Sequence, residues 1–549
     1  MAYQNYAVEE HRDLRAMLDA VALKYGERTA FLEKQGGVVC SYNYARLRQD
    51  VDALGTALQK RKLAGKRVML FGENCYAWIV SFFAVTCGGG AAVTVDRGAD
   101  EEAVRQIAER TKAAAVICSD EGLSRTEGLP DGVQVLLFST VPGLIEEGAK
   151  ALKKGNFAYR NAKIDPDAMS VLLFVSGAQK GVMLSQHNLC FDTAEICRMI
   201  AFTPDDVFLS ILPIHHAYEM TCGILCPLSC GASVAFSEGL RSMTREMKEY
   251  HPTVLNCVPY LMETMYNKVQ QSIRRQNLER QIQTLIRMTN AIRPGKARVA
   301  AKRRTFSMVH KSFGGRLRLI ISGGAAADPE VLRGFRDFGI LALQSYSLVE
   351  CAPIAAINRD RYFDDTAAGV SMPDALVDIY DMQDDGIGEI RCKGENVMLG
   401  YFEDPDLTAR VLHDGWFYTG DLGYLDSDGF LHIIGRKKNL ILSASGKKIF
   451  PEELEALLCS SKFVLEAAVV GVFDEKRKDY DLVAILRPDT QAIRALGDID
   501  VRQRTNIEMR RAVADVNAML PPFKQIKSFR TRSEPFARNA AGQLTRKDL

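Results

Sequence analysis

Short apolar runs alternate with amphipathic stretches through the first two thirds of the chain. Residues 67–72 (RVMLFG), 91–96 (AAVTVD), 113–119 (AAAVICS), 133–138 (VQVLLF), 170–175 (SVLLFV) and 316–322 (RLRLIIS) each read as a strand buried on both faces. Segment 74–86 (NCYAWIVSFFAVT) is apolar all round and reads as a buried helix. Runs of this kind, separated by helices, predict a mostly parallel sheet covered on both sides. After 316–322 come Gly323 and Gly324, then Asp328-Pro329-Glu330. Asp328 suits an N-cap and Pro329 the first helical position, so a helix is expected over 331–338. From about Val377 the texture changes to aromatic and β-branched runs broken by Gly-Asp turns, as in GWFYTGDLGYLDSDGFLHIIGRKK. That predicts an antiparallel β unit. Beyond Arg436 the pattern is strand, helix (451–460), strands (467–472 and 481–486), helix (501–520). The expected class is α/β. A large N-terminal lobe, 1–436, has mostly parallel sheets covered by helices and a small β unit at about 377–436. A small mobile α+β domain, 437–549, follows a hinge at 436–439.

Composition changes this picture little. The chain has 549 residues, 47% hydrophobic and 25% charged, which is ordinary for a globular protein. Seventy Lys plus Arg face 68 Asp plus Glu, so no whole-molecule field attracts nucleic acid, and no nucleic-acid partner is expected. The 13 cysteines are scattered without a C-x-x-C pair, which points to a reducing compartment. Cys222, Cys226 and Cys230 recur every four residues among Ile, Leu and Pro, as small core residues do. The N-terminus shows no basic-then-apolar signal pattern and no run is apolar enough to span a bilayer, so the expected location is the cytoplasm. One region is lopsided. Between 268 and 316 lie 13 Lys plus Arg and a single acid, Glu279, in a helical pattern. It reads as the solvated face of a helical hairpin, as a peripheral contact with anionic lipid at the inner membrane face, or as a contact with a phosphorylated substrate.

Five motifs carry candidate chemistry. The first is FVSGAQKGVMLSQHNL (174–189), a strand entering a Ser/Gly turn, then a Lys and a helix. Backbone amides in such a turn cradle phosphate and a Lys neutralises it. The others are ILPIHHAYEM (211–220), SGGAAADPE (322–330), QSYSLVE (344–350) and a long run from Asp414 to Glu455. In order and spacing these resemble the adenylate-forming, acyl-activating superfamily, most closely its long-chain fatty acyl-CoA synthetases. NVMLGYFEDPDLT and VPYLMETMY strengthen the likeness. It extends from about Leu14 to the end of the chain.

The resemblance implies a two-step reaction. A carboxylate attacks the α-phosphate of ATP to give acyl-AMP, and a thiol of CoA or of a carrier protein then takes the acyl group. It implies ATP/AMP, Mg2+ and CoA as cofactors and a fatty acid or other carboxylate as substrate. Residue by residue, it assigns Ser176, Gly177, Lys180 and Gly181 to the phosphate loop. Gly323, Gly324 and Ala325 line adenine, Tyr346 stacks on it, and Glu350 holds the metal. His216, with Glu219, lies near the acyl entrance. Asp421 and Arg436 hold the ribose, Lys438 is the hinge, and Gly446 sits beside the pantetheine tunnel. Each also has a plainer reading as a turn, a packing residue or a solvated side chain.

Three departures fall together. The family's loop reads [YF]-T-S-G-T-T-G-x-P-K-G, whereas here three residues are missing between Gly177 and Lys180, and Val175 replaces a Thr. Val349 takes the place of the Thr before Glu350. Gln543 stands where the family has the Lys that reaches the α-phosphate and carboxylate. All concern ATP phosphates in the first step, and losing one preorganised donor costs roughly 10²–10³ in rate. Three readings follow: a working synthetase with a rebuilt phosphate site, a catalytically impaired scaffold that binds nucleotide, acyl group or a partner, or a protein that performs only the thiol-transfer half.

Overall fold

The computed structural model describes residues 4–175, 180–443, 447–475, 477–497, 500–537, 544 and 546. The chain divides into two compact units, 1–377 with 392–417, and 378–391 with 418–549.

The first unit holds two large sheets. In one, five parallel strands run Met169–Val175, Ala91–Thr94, Arg67–Phe71, Ala115–Cys118 and Gln134–Leu137, in that spatial order. Lys180–Ser185 adds antiparallel to Met169–Val175, and Gly400–Tyr401 antiparallel to that strand. The strands predicted from the apolar runs are therefore present. The expected direct passage from the phosphate turn into a helix is not. GVML is mostly buried and pairs as a strand, and the helix Gln186–Met199 starts only at a capping box made by Ser185 and Asn188. The second sheet has nine strands. Its parallel centre is Leu341–Ser347, Leu319–Ser322, Val254–Cys257, Val207–Ser210 and Ser233–Phe236. Leu209, Leu255, Cys257, Ile320 and Ala342 pack one face of it against Met262, Val331 and Phe335, giving a core of aliphatic and aromatic side chains. Asp328 caps the helix Pro329–Asp337 as predicted, its carboxylate accepting from Glu330 N.

Between strand ends the chain takes an unusual turn. Glu219–Leu225 is a π-helix, followed by a short α-helix, Cys226–Ser229. Cys222 and Cys226 are buried there as small apolar residues. The lopsided 268–316 region is helical, as its pattern predicts: Pro259–Arg275, Glu279–Asn290, Lys296–Thr305 and Ser307–Ser312.

The second unit has a three-stranded sheet, Val464–Asp474, Asp479–Pro488 and Ile526–Thr531, covered by Pro451–Cys459 and Val501–Met519. Leu454, Leu458, Val469, Leu482, Met509 and Val513 form its core. This unit also takes in 378–391 and 418–436, which the sequence texture assigns to the N-terminal lobe. The hairpin partner Leu431–Arg436 pairs along 421–425, and Thr419 Oγ1 donates to Ile390 O, which ties these pieces together. Among the described residues, no helix is long and apolar enough to cross a membrane.

Candidate active site

In the first unit the candidates gather at the carboxyl ends of parallel strands, where open α/β sheets bind ligands. Lys180 opens the strand that follows the phosphate turn. Its Nζ lies 2.9 Å from Glu350 Oε1 and 4.2 Å from the centroid of the Tyr401 ring. Tyr401 OH donates to the same Glu350 oxygen at 2.9 Å. Strand pairing explains the meeting: Tyr401 lies opposite Val182, two residues from Lys180. Glu350 sits on a 3₁₀ turn, Val349–Cys351, and its carbonyl accepts from Met398 N at 2.8 Å. Burial and the Glu350 carboxylate push the Tyr401 phenol up, so it remains a donor. Tyr401 is the member that motif reading missed, although it lies within the quoted NVMLGYFEDPDLT.

An ion pair that is part-exposed on the lysine side contributes little to stability. It does bring the two charges that a metal–phosphate group needs to one place. A carboxylate suits a hard divalent cation and an ammonium suits a phosphate oxygen. Mg2+ bound through phosphates needs only one or two protein carboxylates, so Glu350 fits that role. No cluster of three or more His, Cys, Asp or Glu able to hold a metal is found among the described residues.

Gly181 packs closely between strands: a Cβ there would lie 3.1 Å from Leu172 and 3.2 Å from Phe174. Gly323 follows its strand directly, and a Cβ on it would fall 2.4 Å from the Tyr218 ring. Gly324 has φ +88°, a conformation glycine adopts freely, and its N–H donates to Ser347 Oγ at 3.1 Å. Ala325 is half-buried and Tyr346 is buried in the neighbouring strand. Here glycine supplies a flat backbone ledge, and Tyr218 closes one side of it, its OH donating to Ile321 O at 3.2 Å.

His215 and His216 lie with ring centroids 4.1 Å apart. Burial lowers both, His215 to about 3, while Asp96 pulls the other way, so His215 is neutral at physiological pH. Glu219 is the more unusual group. It is 1% exposed and neither carboxylate oxygen has a well-formed hydrogen bond. Burial pushes it up to about 8, offset only in part by the Ser210 hydroxyl.

The second unit builds a separate constellation. Asp421 and Arg436 face each other across a hairpin, with Arg436 Nε 2.7 Å from Asp421 Oδ1. Asp421 is buried, and its N–H donates to Thr419 Oγ1 at 3.1 Å. Glu389 holds the strand from behind, accepting from Gly420 N at 3.1 Å and from Lys437 Nζ at 2.7 Å. Lys438 is exposed on the turn Lys437–Asn439, and Asn439 Nδ2 donates to Glu452 at 2.6 Å. Arg546, which ends the G-Q-L-T-R motif, donates to Glu455 at 2.6 Å and to Val469 O at 2.8 Å. Ser176, Gly177, Gly446 and Gln543 lie outside the described residues.

The family profile of AMP-binding enzymes covers residues 18–402. Long-chain-fatty-acid–CoA ligase 5 of Rattus norvegicus is 29% identical over 523 residues, covering 85% of this chain and 75% of that protein. A long-chain-fatty-acid–[acyl-carrier-protein] ligase of Arabidopsis thaliana, AEE15, is 24% identical over 556 residues, covering 86% and 75%. Among solved structures, the o-succinylbenzoate CoA synthetase MenE of Bacillus subtilis, in complex with an acyl-adenylate intermediate, superposes with a TM-score of 0.73. Its identity is 20%, and the match covers 99% of this chain and 98% of that one. The profile match, spanning the strands that carry Lys180, Gly323, Glu350 and Tyr401, shows that the chain belongs to the AMP-binding enzyme family, the adenylate-forming proteins close to long-chain acyl-CoA synthetases.

Proposed function

We propose that this chain is an ATP-dependent acyl-CoA synthetase of the fatty-acid type whose adenylation step is slow. The observation that supports this most is the joint survival of the Lys180–Glu350–Tyr401 cluster and the Asp421–Arg436 pair. In the first step a carboxylate oxygen attacks the α-phosphorus of ATP, and the bond to pyrophosphate breaks. Lys180 is placed to bind a phosphate oxygen once its partner turns to the metal. Glu350 would hold Mg2+, which when bound spreads phosphate charge. Within the first unit the Gly323–Gly324 ledge is the proposed adenine surface; Asp421 and Arg436, within the second, are the pair that the family resemblance assigns to ribose. In the second step a thiol sulfur attacks the acyl carbon and AMP leaves. CoA is the proposed acceptor, with a carrier-protein thiol the alternative.

The weakened step follows from Gln543, Val349 and the shortened loop at 176–179, all in phosphate handling. The same three changes favour a second reading, an impaired scaffold or a protein that performs only acyl transfer. Offering synthetic acyl-AMP with CoA separates them. The proposal expects acyl-CoA to form faster from acyl-AMP than from fatty acid with Mg-ATP, with measurable product from both. Product from acyl-AMP alone supports the half-reaction, and product from neither supports the scaffold.

For the basic region we propose contact with an anionic lipid surface. Lys268, Arg274, Arg275, Arg280, Arg287, Arg293, Lys296, Arg304 and Lys311 are exposed, and none has an acidic partner among the described residues. Met288 and Met308 are exposed between them. Each cation near such a surface contributes about 1 kcal/mol. Binding to phosphatidylglycerol-rich vesicles is expected, with little binding to phosphatidylcholine and loss at high salt. Reversing Arg280, Arg287 and Lys296 to Glu is expected to abolish it. Flotation that ignores lipid charge contradicts this contact.

A further inference from the structure

The strand ends beside the Gly323 ledge bury polar groups that the described residues satisfy poorly or not at all. Leu255 and Cys257 belong to the helix-packed core, so Asn256 between them points to the opposite face of the sheet. By the same alternation Leu209 faces that core and Ser210 does not, while Ile320 faces it and Ile321 and Gly323 do not. Asn256, Ser210 and Gly323 therefore share one face, at the carboxyl ends of adjacent parallel strands. The π-helix lies over this face. Tyr218, just before it, covers Gly323, and Glu219, its first residue, lies by Ser210.

Asn256 is 3% exposed, and neither its amide nitrogen nor its oxygen has a partner. Both Glu219 oxygens are likewise buried, and the Ser210 hydroxyl beside them makes no well-formed hydrogen bond to either. Ser210 Oγ accepts from Asn74 Nδ2 at 3.0 Å, which leaves its own proton for the Glu219 side. Buried donors and acceptors are nearly always paired, because one left alone loses its hydration without replacement. An alkyl chain laid against this face satisfies none of them. A π-helical turn often marks a functional site, and this one places an acid where an apolar side chain would pack better.

Resting on the acyl-CoA synthetase reading above, we infer that the acyl pocket is built for a carboxylic acid whose chain carries a neutral oxygen, a hydroxyl or a carbonyl, bound by Asn256 and Glu219. A hydroxyl takes a hydrogen bond from the Asn256 amide and gives one to its carbonyl or to Glu219; a carbonyl accepts from the amide and from the protonated acid. A second carboxylate does not fit, because no cationic side chain of the described residues acts on Glu219 and a buried anion there has no compensation. The upward push on Glu219 agrees with a donor at neutral pH.

The test is binding of non-hydrolysable adenylate mimics to the full chain by isothermal titration. The probes are dodecanoyl-sulfamoyl-adenosine and its 3-, 6- and 12-hydroxy derivatives. At least one hydroxy isomer is expected to bind roughly tenfold or more tighter than the plain chain. Asn256→Leu is expected to remove that preference while still binding the plain mimic, and Glu219→Gln, a neutral isostere, to retain most of it. If the plain mimic binds as tightly as every hydroxy isomer, the inference fails and the synthetase reading stands. If no mimic binds, both fail. Because the wild-type comparison alone decides between plain and oxygenated chains, a variant that does not fold leaves the test intact.

Discussion

Replacing Asp421 with alanine is expected to lower kcat/KM for ATP roughly 10²–10⁴-fold, from the loss of two charge-assisted hydrogen bonds to a vicinal diol at about 1.5–3 kcal/mol each. The side chain is buried, held by the hairpin register opposite Arg436, with its own N–H fixed on Thr419. Its removal also leaves the Arg436 guanidinium without the carboxylate at 2.7 Å that orients it. Asp421→Asn keeps the shape and one acceptor, so its loss should be smaller. Titration of ATP binding checks the prediction without turnover. Equal affinity in wild type and Asp421→Ala would remove the ribose role.

Much of this arrangement was readable from residue patterns, for physical reasons. Buried parallel strands are near-continuous apolar runs, so 67–72, 91–96 and 316–322 announced themselves. Asp328-Pro329 marked a helix start because cap and first-turn chemistry are local. The strand at Lys180–Ser185 was not legible, since GVML is compatible with helix or strand until its pairing partners are known. The same pairing hid Tyr401, whose part in the site depends on lying opposite Val182 across more than two hundred residues of chain. The division of the hairpin regions 378–391 and 418–436 into the second unit also depends on long-range pairing. Gly181 also packs closely between strands, a requirement that its place in a motif did not reveal. Asn256 gave no signal at all, because an asparagine inside an apolar strand acquires meaning only when its lack of partners is seen.

Restoring the family lysine, Gln543→Lys, is expected to raise the rate of pyrophosphate release from Mg-ATP and fatty acid by about 10²–10³, the contribution of one preorganised charged donor. Under the proposed assignment of position 543, glutamine offers a hydrogen bond without the charge that two approaching anions need. Arg546, three residues on, donates to Glu455 and to Val469 O. Thiol transfer from preformed acyl-AMP should be nearly unaffected, which distinguishes a phosphate-handling effect from a general gain. An unchanged adenylation rate would shift the limitation to the shortened loop and Val349, and such effects need not add.

The most direct test is one incubation of the wild-type protein with Mg-ATP, CoA and a mixture of plain and hydroxylated fatty acids, read by mass spectrometry for acyl-CoA and AMP. Acyl-CoA and AMP formed together, above the level without protein, are the expected result. Their absence from protein shown to be folded would contradict a working synthetase and leave the Lys180–Glu350 and Asp421–Arg436 constellations as parts of a binding scaffold.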